Sequence, residues 1–115
     1  MIQVYGIANC DSVKKVRRWL DEHQVAYRFH DYRKLGVPEA LLRQWVATSG
    51  WQTLLNRRGT TWRALDESIR AGVIDAETAI NVMLANASTI RRPVVCFGKQ
   101  IIVGVDTAAL ALLAA

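Results

Sequence analysis

The sequence has few cysteines, no long uncharged run and no recognisable leader, and each absence excludes a class of protein. Two cysteines in 115 residues cannot form the dense disulfide framework of a small secreted domain. No uncharged stretch approaches the roughly 18 residues that cross a bilayer, so we expect neither a membrane span nor a membrane partner. The N-terminus MIQVYGIANC has no basic region before an apolar run and no small-residue cleavage site, which predicts a cytoplasmic protein.

The composition predicts one globular domain over residues 1–115. Hydrophobic residues make up 51% of the chain and charged residues 22%, which is enough apolar surface for a core. The net charge of +5 favours an anionic partner. On charge alone, nucleic acid, a small anion such as an oxyanion or glutathione, and a merely basic surface all stay open.

Several motifs that would narrow this choice are missing. The chain has no glycine-rich phosphate loop, and His23 and His30 lack both metal-ligand spacing and a neighbouring cluster of ligands. We therefore expect no metal and no bound cofactor. The four tryptophans recur at helical spacing, which favours a packing role over base stacking, so no nucleic-acid partner is expected.

The apolar pattern of the two ends of the chain predicts a mixed four-stranded sheet with helices packed on it. The N-terminal end is predicted to form a strand over 2–6, a helix with Val13, Val16 and Leu20 inside, and a strand over 26–32. A right-handed crossover makes the two strands parallel. Strands over 93–97 and 100–105 flank Gly98-Lys99, whose leading glycine suits a type II′ turn, so they should pair antiparallel. Asp106 is predicted to cap a closing helix over 107–113.

The middle of the chain is predicted to be helical. Pro38 suits the first turn of a helix that buries Leu41, Leu42, Trp45 and Val46 and ends at Gly50. After a basic loop over 56–61, a helical stretch carries Trp62, Leu65 and Ile69 on one face and ends at Gly72, and Asp75 then caps a helix with Ile80, Met83 and Leu84 inside.

Cys10 is the main candidate for chemistry because it lies between the first strand and the first helix. The free amides of a helix N-terminus stabilise a thiolate, and Lys14, one turn along, adds to that field if its side chain folds back. The polar neighbours Asn9, Asp11 and Ser12 fit a reactive thiol better than a core cysteine, and Asn9 and Lys14 are further candidates to bind an anionic substrate there. The Ser12 hydroxyl is a candidate donor to the sulfur or to a bound anion, or simply a residue of the first helical turn.

Two thiol chemistries do not fit the spacing around Cys10. A tyrosine-phosphatase-type loop needs an arginine where the chain has Val16, and a dithiol centre needs a cysteine where it has Val13. Cys96 lies in an apolar strand and is expected to pack there; the alternative is a resolving thiol, which would require the two sulfurs to approach. Arg92-Pro93 opens the same strand, either as an ordinary strand start or as a cis-proline beside the site.

Taken together, four segments closely resemble the ArsC/Spx family, and within it the YffB-type subgroup of arsenate reductase-like proteins. The segments are VYGIANCDSVKKVRRWL, YRFHDYR, LLNRRGTTWRALDE and IRRPVV, and the resemblance covers essentially the whole chain. It implies an α/β, thioredoxin-like fold with a helical insertion. It also implies that Cys10 is the catalytic cysteine, that Arg92 faces it, and that Pro93 is the family's cis-proline.

The resemblance implies further anion-binding residues and several functions. One of the two other arginines that hold the oxyanion in true arsenate reductases corresponds to Arg57 or Arg58, while the second falls near Gly104, where this chain has none. The Spx branch binds RNA polymerase and uses a CxxC switch, which Val13 interrupts here. The YffB-type branch implies a glutathione-dependent thiol/disulfide reductase, with glutaredoxin as a further partner, and this is the function we expect; transcription regulation and arsenate reduction are the alternatives.

Overall fold

The computed structural model describes residues 1–115, and they divide into two compact units. The first unit is formed by Met1–Gly36 and Arg92–Ala115, and the second by Val37–Arg91. All four strands belong to the first unit, whereas the second is helical apart from one isolated bridge between Leu55 and Ile90. The second unit corresponds to the helical insertion that the sequence predicts.

The elements follow one another along the chain in the order strand, helix, strand, a series of helices, two strands and a final helix. They are β1 Ile2–Gly6, α1 Asp11–Glu22, β2 Tyr27–Asp31, α2 Tyr32–Leu35, α3 Glu39–Ser49, α4 Trp51–Leu54, α5 Thr60–Ala64, α6 Glu67–Ala71, α7 Ala76–Ala85, a 3₁₀ turn Ala87–Thr89, β3 Val94–Phe97, β4 Gln100–Val103 and α8 Thr107–Ala114.

The sheet of the first unit has the order β2-β1-β3-β4, and it confirms the predicted mixed, thioredoxin-like arrangement. Strands β1 and β2 are parallel, with Gly6 opposite Asp31, while β3 is antiparallel to both β1 and β4. Gly98 begins the two-residue turn between β3 and β4 with a φ of 59°, a conformation that favours glycine. The hairpin is therefore paired as predicted.

One face of the sheet forms the core with α1 and α8. The predicted face of α1, Val13, Val16 and Leu20, is completely buried, because apolar residues three and four positions apart lie on one side of a helix. Val16 and Leu20 pack with Val4 and with Leu110 of α8. The Asp106 carboxylate accepts from the Ala109 amide, so the predicted cap of α8 is confirmed.

The second unit packs short helices around the buried side chains of α3 and α7. Leu42, Trp45 and Val46 are buried as predicted, and so are Ile80 and Met83. Asp75 begins α7 through a capping box with Thr78, which confirms the predicted cap. No helix of the structure is both long and apolar enough to span a membrane.

Two predictions about the middle helices are wrong. Helix α3 begins at Glu39, because Pro38 is extended (φ −76°, ψ 98°) and its carbonyl accepts the first helical hydrogen bond from Leu42. The stretch from Trp62 to Ile69 is two helices, α5 and α6, because the backbone turns extended at Leu65 (ψ 151°). Ile69 is therefore 43% exposed and does not share a buried face with Trp62.

The strand ends are also shorter than predicted. Strand β2 stops at Asp31 because its carboxylate accepts from the Arg33 amide and caps α2, which Tyr32 begins. Strand β3 starts after Pro93, which has no N–H to donate to the ladder. Strand β4 ends before Gly104, whose φ of 83° turns the backbone and leaves Val105 exposed.

Candidate active site

Cys10 lies at the N-terminus of α1, where the sequence predicts it. Its backbone is extended (φ −144°, ψ 126°), and its carbonyl accepts from the amide of Lys14 at 2.9 Å, so α1 begins directly after it. The free amides of the first helical turn carry partial positive charge. The thiol, which is half-buried, is thus held where a helix stabilises an anion.

The electrostatic environment of Cys10 favours the thiolate. Burial alone raises the pKa of the thiol, but the amides of Val13 and Ser12 and the hydrogen bonding and charge of Arg92 outweigh it. The pKa of Cys10 is therefore lower than its ordinary value. A lower pKa increases the fraction of thiolate, which is the nucleophilic form, at neutral pH.

Arg92 combines this role with unused hydrogen-bonding capacity. Its Nε and Nη1 atoms are buried and donate to no acceptor in the protein. Buried donors in native proteins almost always have a partner, so two such donors next to a thiol are suited to an oxygen of a bound anion. The structure therefore brings the predicted pair Cys10 and Arg92 together.

Gly6 contributes to this geometry and was recognised in the sequence only as the end of a strand. A Cβ atom on Gly6 would lie 2.8 Å from Cγ2 of Val13 and 3.9 Å from Cβ of Arg92. The absence of a side chain lets α1 and the start of β3 approach the end of β1. No single-sequence signal distinguishes this glycine from one that merely ends a strand.

The other predicted residues near Cys10 have different surroundings. Ser12 acts through its backbone amide, which is among the groups that lower the pKa of Cys10. Asn9 and Lys14 are exposed, and the charge of Lys14 is not among the causes that lower the pKa of Cys10. Their part in binding an anion stays a prediction.

Pro93 follows Arg92 in a cis peptide bond, as the resemblance implies, and it is buried. Its carbonyl accepts from the amide of Gly104 at 2.8 Å, which ties the start of β3 to the end of β4. The resemblance places a further arginine near Gly104. The φ of Gly104 is positive, a conformation that an arginine would adopt only with strain.

Arg57 and Arg58 belong to the second unit, and both are exposed. The Arg57 guanidinium lies 5.5 Å from the ring centre of Trp51, and the Arg58 amide donates to the side chain of Asn56. Their role in the site stays a prediction.

Cys96 lies away from Cys10 along the sheet. It is opposite Gln3, three residues before Gly6, which corresponds to about 10 Å at the rise of a strand. Cys10 lies beyond the Gly6 end, and cysteines whose Cα atoms are more than about 7 Å apart cannot be bridged without backbone movement. Neither cysteine forms a disulfide, and this geometry does not support Cys96 as the resolving partner.

The site can therefore perform nucleophilic chemistry with one thiolate and an adjacent guanidinium. No group of three or more His, Cys, Asp or Glu side chains is placed to hold a metal ion. A thiolate beside a cation can attack a disulfide sulfur or an electrophilic oxyanion.

Comparisons with known proteins agree with this architecture. A solved structure named YFFB is 49% identical with a TM-score of 0.95 over all of both chains. An arsenate reductase (ArsC) related protein from Brucella melitensis is 41% identical with a TM-score of 0.76, over 96% of this chain and 92% of that one.

Curated relatives extend the comparison to transcription regulators. An uncharacterised protein of Haemophilus influenzae is 41% identical over 90% of each chain. A global transcriptional regulator Spx of Streptococcus mutans is 26% identical over 90% of this chain and 76% of the regulator. The family model named ArsC matches residues 5–112, and the chain therefore belongs to the ArsC family.

Proposed function

We propose that this protein is a glutathione-dependent thiol/disulfide reductase that uses Cys10 as its single nucleophile. The observation that carries the proposal is the lowered pKa of Cys10 beside a guanidinium with two unused N–H donors. A disulfide substrate supplies an electrophilic sulfur for the thiolate. Glutathione also supplies carboxylates for the guanidinium.

The proposed reaction consists of a pair of thiol/disulfide exchanges that takes place twice. The Cys10 thiolate attacks one sulfur of a disulfide, a bond forms between Sγ and that sulfur, and the other sulfur leaves as a thiolate that takes a proton from water. A glutathione thiolate then attacks the substrate sulfur of this mixed disulfide, which releases the Cys10 thiolate and forms a disulfide between glutathione and that half of the substrate. Cys10 next attacks the glutathione sulfur of that disulfide and releases the second substrate thiol, and a second glutathione thiolate releases Cys10 as oxidised glutathione forms.

Arg92 has two parts in this proposal. Its positive charge and hydrogen bonding lower the pKa of Cys10, which favours the thiolate in the free protein and makes Cys10 a better leaving group when glutathione resolves the mixed disulfide. Its free Nε and Nη1 donors orient a carboxylate of the substrate. In this proposal the reductant comes from outside the chain, because the position of Cys96 opposite Gln3 does not support it as the resolving thiol.

The direct test is the intact mass of the protein after incubation with oxidised glutathione. We expect one glutathione adduct on the wild-type protein and on Cys96→Ser, and none on Cys10→Ser. An adduct that persists in Cys10→Ser, or a wild-type protein that forms none, would overturn the proposal.

Arsenate reduction is a weaker candidate for the same thiol. The related Brucella melitensis structure carries that name, but the anion-binding arginine that the resemblance places near Gly104 is missing here. Turnover of arsenate with glutathione and glutaredoxin, absent in Cys10→Ser, would favour it over disulfide reduction.

A second candidate of a different class is a transcription regulator that binds RNA polymerase. The similarity to regulators named Spx over 90% of the chain favours it, whereas Val13 replaces the second cysteine of the CxxC switch. Recovery of polymerase subunits by wild-type and Cys10→Ser protein alike would support this candidate, and failure to recover them would remove it.

A further inference from the structure

A cleft beside the loop after β1 is not used by the chemistry described above. It has a volume of about 300 Å³, and it is lined by side chains of α1, β2 and α2 together with Ala8 of the loop. Its apolar part is formed by Ala8, Phe29 and Leu35. Leu35 is 67% exposed, so its side chain is accessible to a ligand.

Two cations border the cleft, and neither forms a salt bridge. Arg17 is held in place because its Nε donates to the Tyr27 hydroxyl at 3.1 Å and its guanidinium lies 4.2 Å from the ring centre of Phe29. Lys34 is exposed. The one carboxylate of the lining, Asp31, is buried and accepts from the Arg33 amide, so the cleft has a net positive charge.

The cleft is within reach of a group bound to Cys10. Ala8 lines the cleft and is two residues from Cys10, so the two Cα atoms are at most about 7 Å apart. The cleft lies on the side of β1 that pairs with β2, whereas Arg92 precedes β3, which pairs with the other side of β1. A glutathionyl group has a carboxylate at each end of its backbone, and cations on both sides of Cys10 match that distribution.

We propose that this cleft binds one carboxylate end of the disulfide whose sulfur Cys10 attacks, with Arg17 and Lys34 as the carboxylate-binding residues. This inference rests on the proposed function, and it names its substrate class as carboxylate-bearing disulfides such as those of glutathione. The apolar part of the cleft contacts the backbone of the ligand. Because exposed ion pairs are individually weak, the expected preference from Lys34 alone is modest.

The test compares two disulfides that differ in carboxylates. Oxidised glutathione has them, and bis(2-hydroxyethyl) disulfide has none. The rate constant for formation of the mixed disulfide with Cys10 is measured for each by quenching and intact mass, in full-length protein with Cys96→Ser. Removal of an exposed ion pair weakens binding by up to about fivefold, and Lys34→Glu also reverses the charge. We therefore expect Lys34→Glu to react about five to ten times more slowly than the parent with oxidised glutathione, and within twofold of the parent with the neutral disulfide.

A matched control separates local binding from overall charge. Lys99→Glu changes the net charge by the same amount in the turn between β3 and β4, at the end of the sheet away from Cys10. We expect its rates with both disulfides to stay within twofold of the parent. The cleft proposal fails if Lys34→Glu and Lys99→Glu slow the glutathione reaction equally, or if Lys34→Glu slows both disulfides equally.

The same measurement distinguishes the cleft from the function on which it rests. If the parent protein reacts with the neutral disulfide and Lys34→Glu changes neither rate constant, the proposed function stands and the cleft proposal fails. A parent protein that reacts with neither disulfide contradicts both.

Discussion

Cys10 and Cys96 are the same residue type in the same unit, yet Cys10 lies directly before a helix and Cys96 lies inside a strand. Cys10 begins a helix and faces free amides and Arg92, whereas Cys96 lies inside β3, between Gln3 of β1 and Ile101 of β4. The charge of Cys96 acts instead on the phenols of Tyr5 and Tyr32, whose pKa values are raised first by burial and then by that thiol. The N-terminal end of a helix therefore favours a thiolate through its free backbone amides.

The largest expected effect on the pKa of Cys10 comes from removing the cation that distinguishes the two cysteines. In Arg92→Met the pKa of Cys10 should rise, because the guanidinium that favours the thiolate is gone. For each unit of rise, the thiolate fraction at pH 7 falls up to about tenfold and the intrinsic reactivity rises about threefold, so the neutral disulfide should react about threefold more slowly. The rate constant for the reaction of Cys10 with the neutral disulfide, measured as a function of pH in both proteins, gives the change in pKa.

The melting temperature of Arg92→Met provides the control for that variant. Because Nε and Nη1 of Arg92 are buried without partners, Met at this position should leave the melting temperature unchanged or raise it. A large drop in melting temperature, or a pH profile that does not move, would contradict the role given to Arg92.

The next effect concerns the close approach that places Cys10. In Gly6→Ala the new methyl group would overlap Val13, so the N-terminus of α1 must shift, and we expect a loss of about 1–3 kcal/mol in the free energy of unfolding. Gln3→Ala, at the Cys96 end of β1, should cost less than about 1 kcal/mol. Chemical denaturation of both variants makes the comparison, and equal losses would mean that Gly6 has no special role.

A smaller effect is the dependence of stability on pH. The pKa of Cys10 is lower in the folded protein than its ordinary value of about 8.5, so ionisation stabilises the fold above the unfolded-state pKa, and that contribution disappears as pH falls through the folded-state pKa. The unfolding free energy of wild type minus that of Cys10→Ser should therefore increase toward about pH 9. A difference that is flat or decreases over this range would contradict the shift.

The smallest effect is expected on the Cys96 side of the sheet. Tyr32 is 3% exposed and its hydroxyl is buried without a partner, so Tyr32→Phe should leave stability unchanged or raise it by up to about 1 kcal/mol. The reactivity of Cys10 should stay within twofold, since a neutral phenol does not favour its thiolate. A marked slowing of Cys10 would show that the two regions are coupled.

Local patterns predicted those parts of the fold that depend on neighbours in sequence. The spacing of Val13, Val16 and Leu20 predicted the buried face of α1, and Asp75 and Asp106 predicted two helix starts, because a cap acts within one turn. The exposure of Ile69 could not be predicted in this way, since it depends on the extended backbone at Leu65.

The candidate site was predictable in its nucleophile and less so in its surroundings. The strand-to-helix position identified Cys10, and the resemblance identified Arg92. The fit of Gly6 against Val13, the unused donors of Arg92 and the cleft between Arg17 and Lys34 all depend on residues that are distant in sequence. Such approaches are determined by the paired strands and the packed helix rather than by any local motif.

The most direct measurement is the pH dependence of alkylation of Cys10 in Cys96→Ser protein by a neutral reagent such as iodoacetamide. The lowered pKa of this thiol predicts a midpoint below the ordinary value of about 8.5, and a midpoint that moves upward in Arg92→Met. A midpoint at or above 8.5 that Arg92→Met leaves in place would contradict the account.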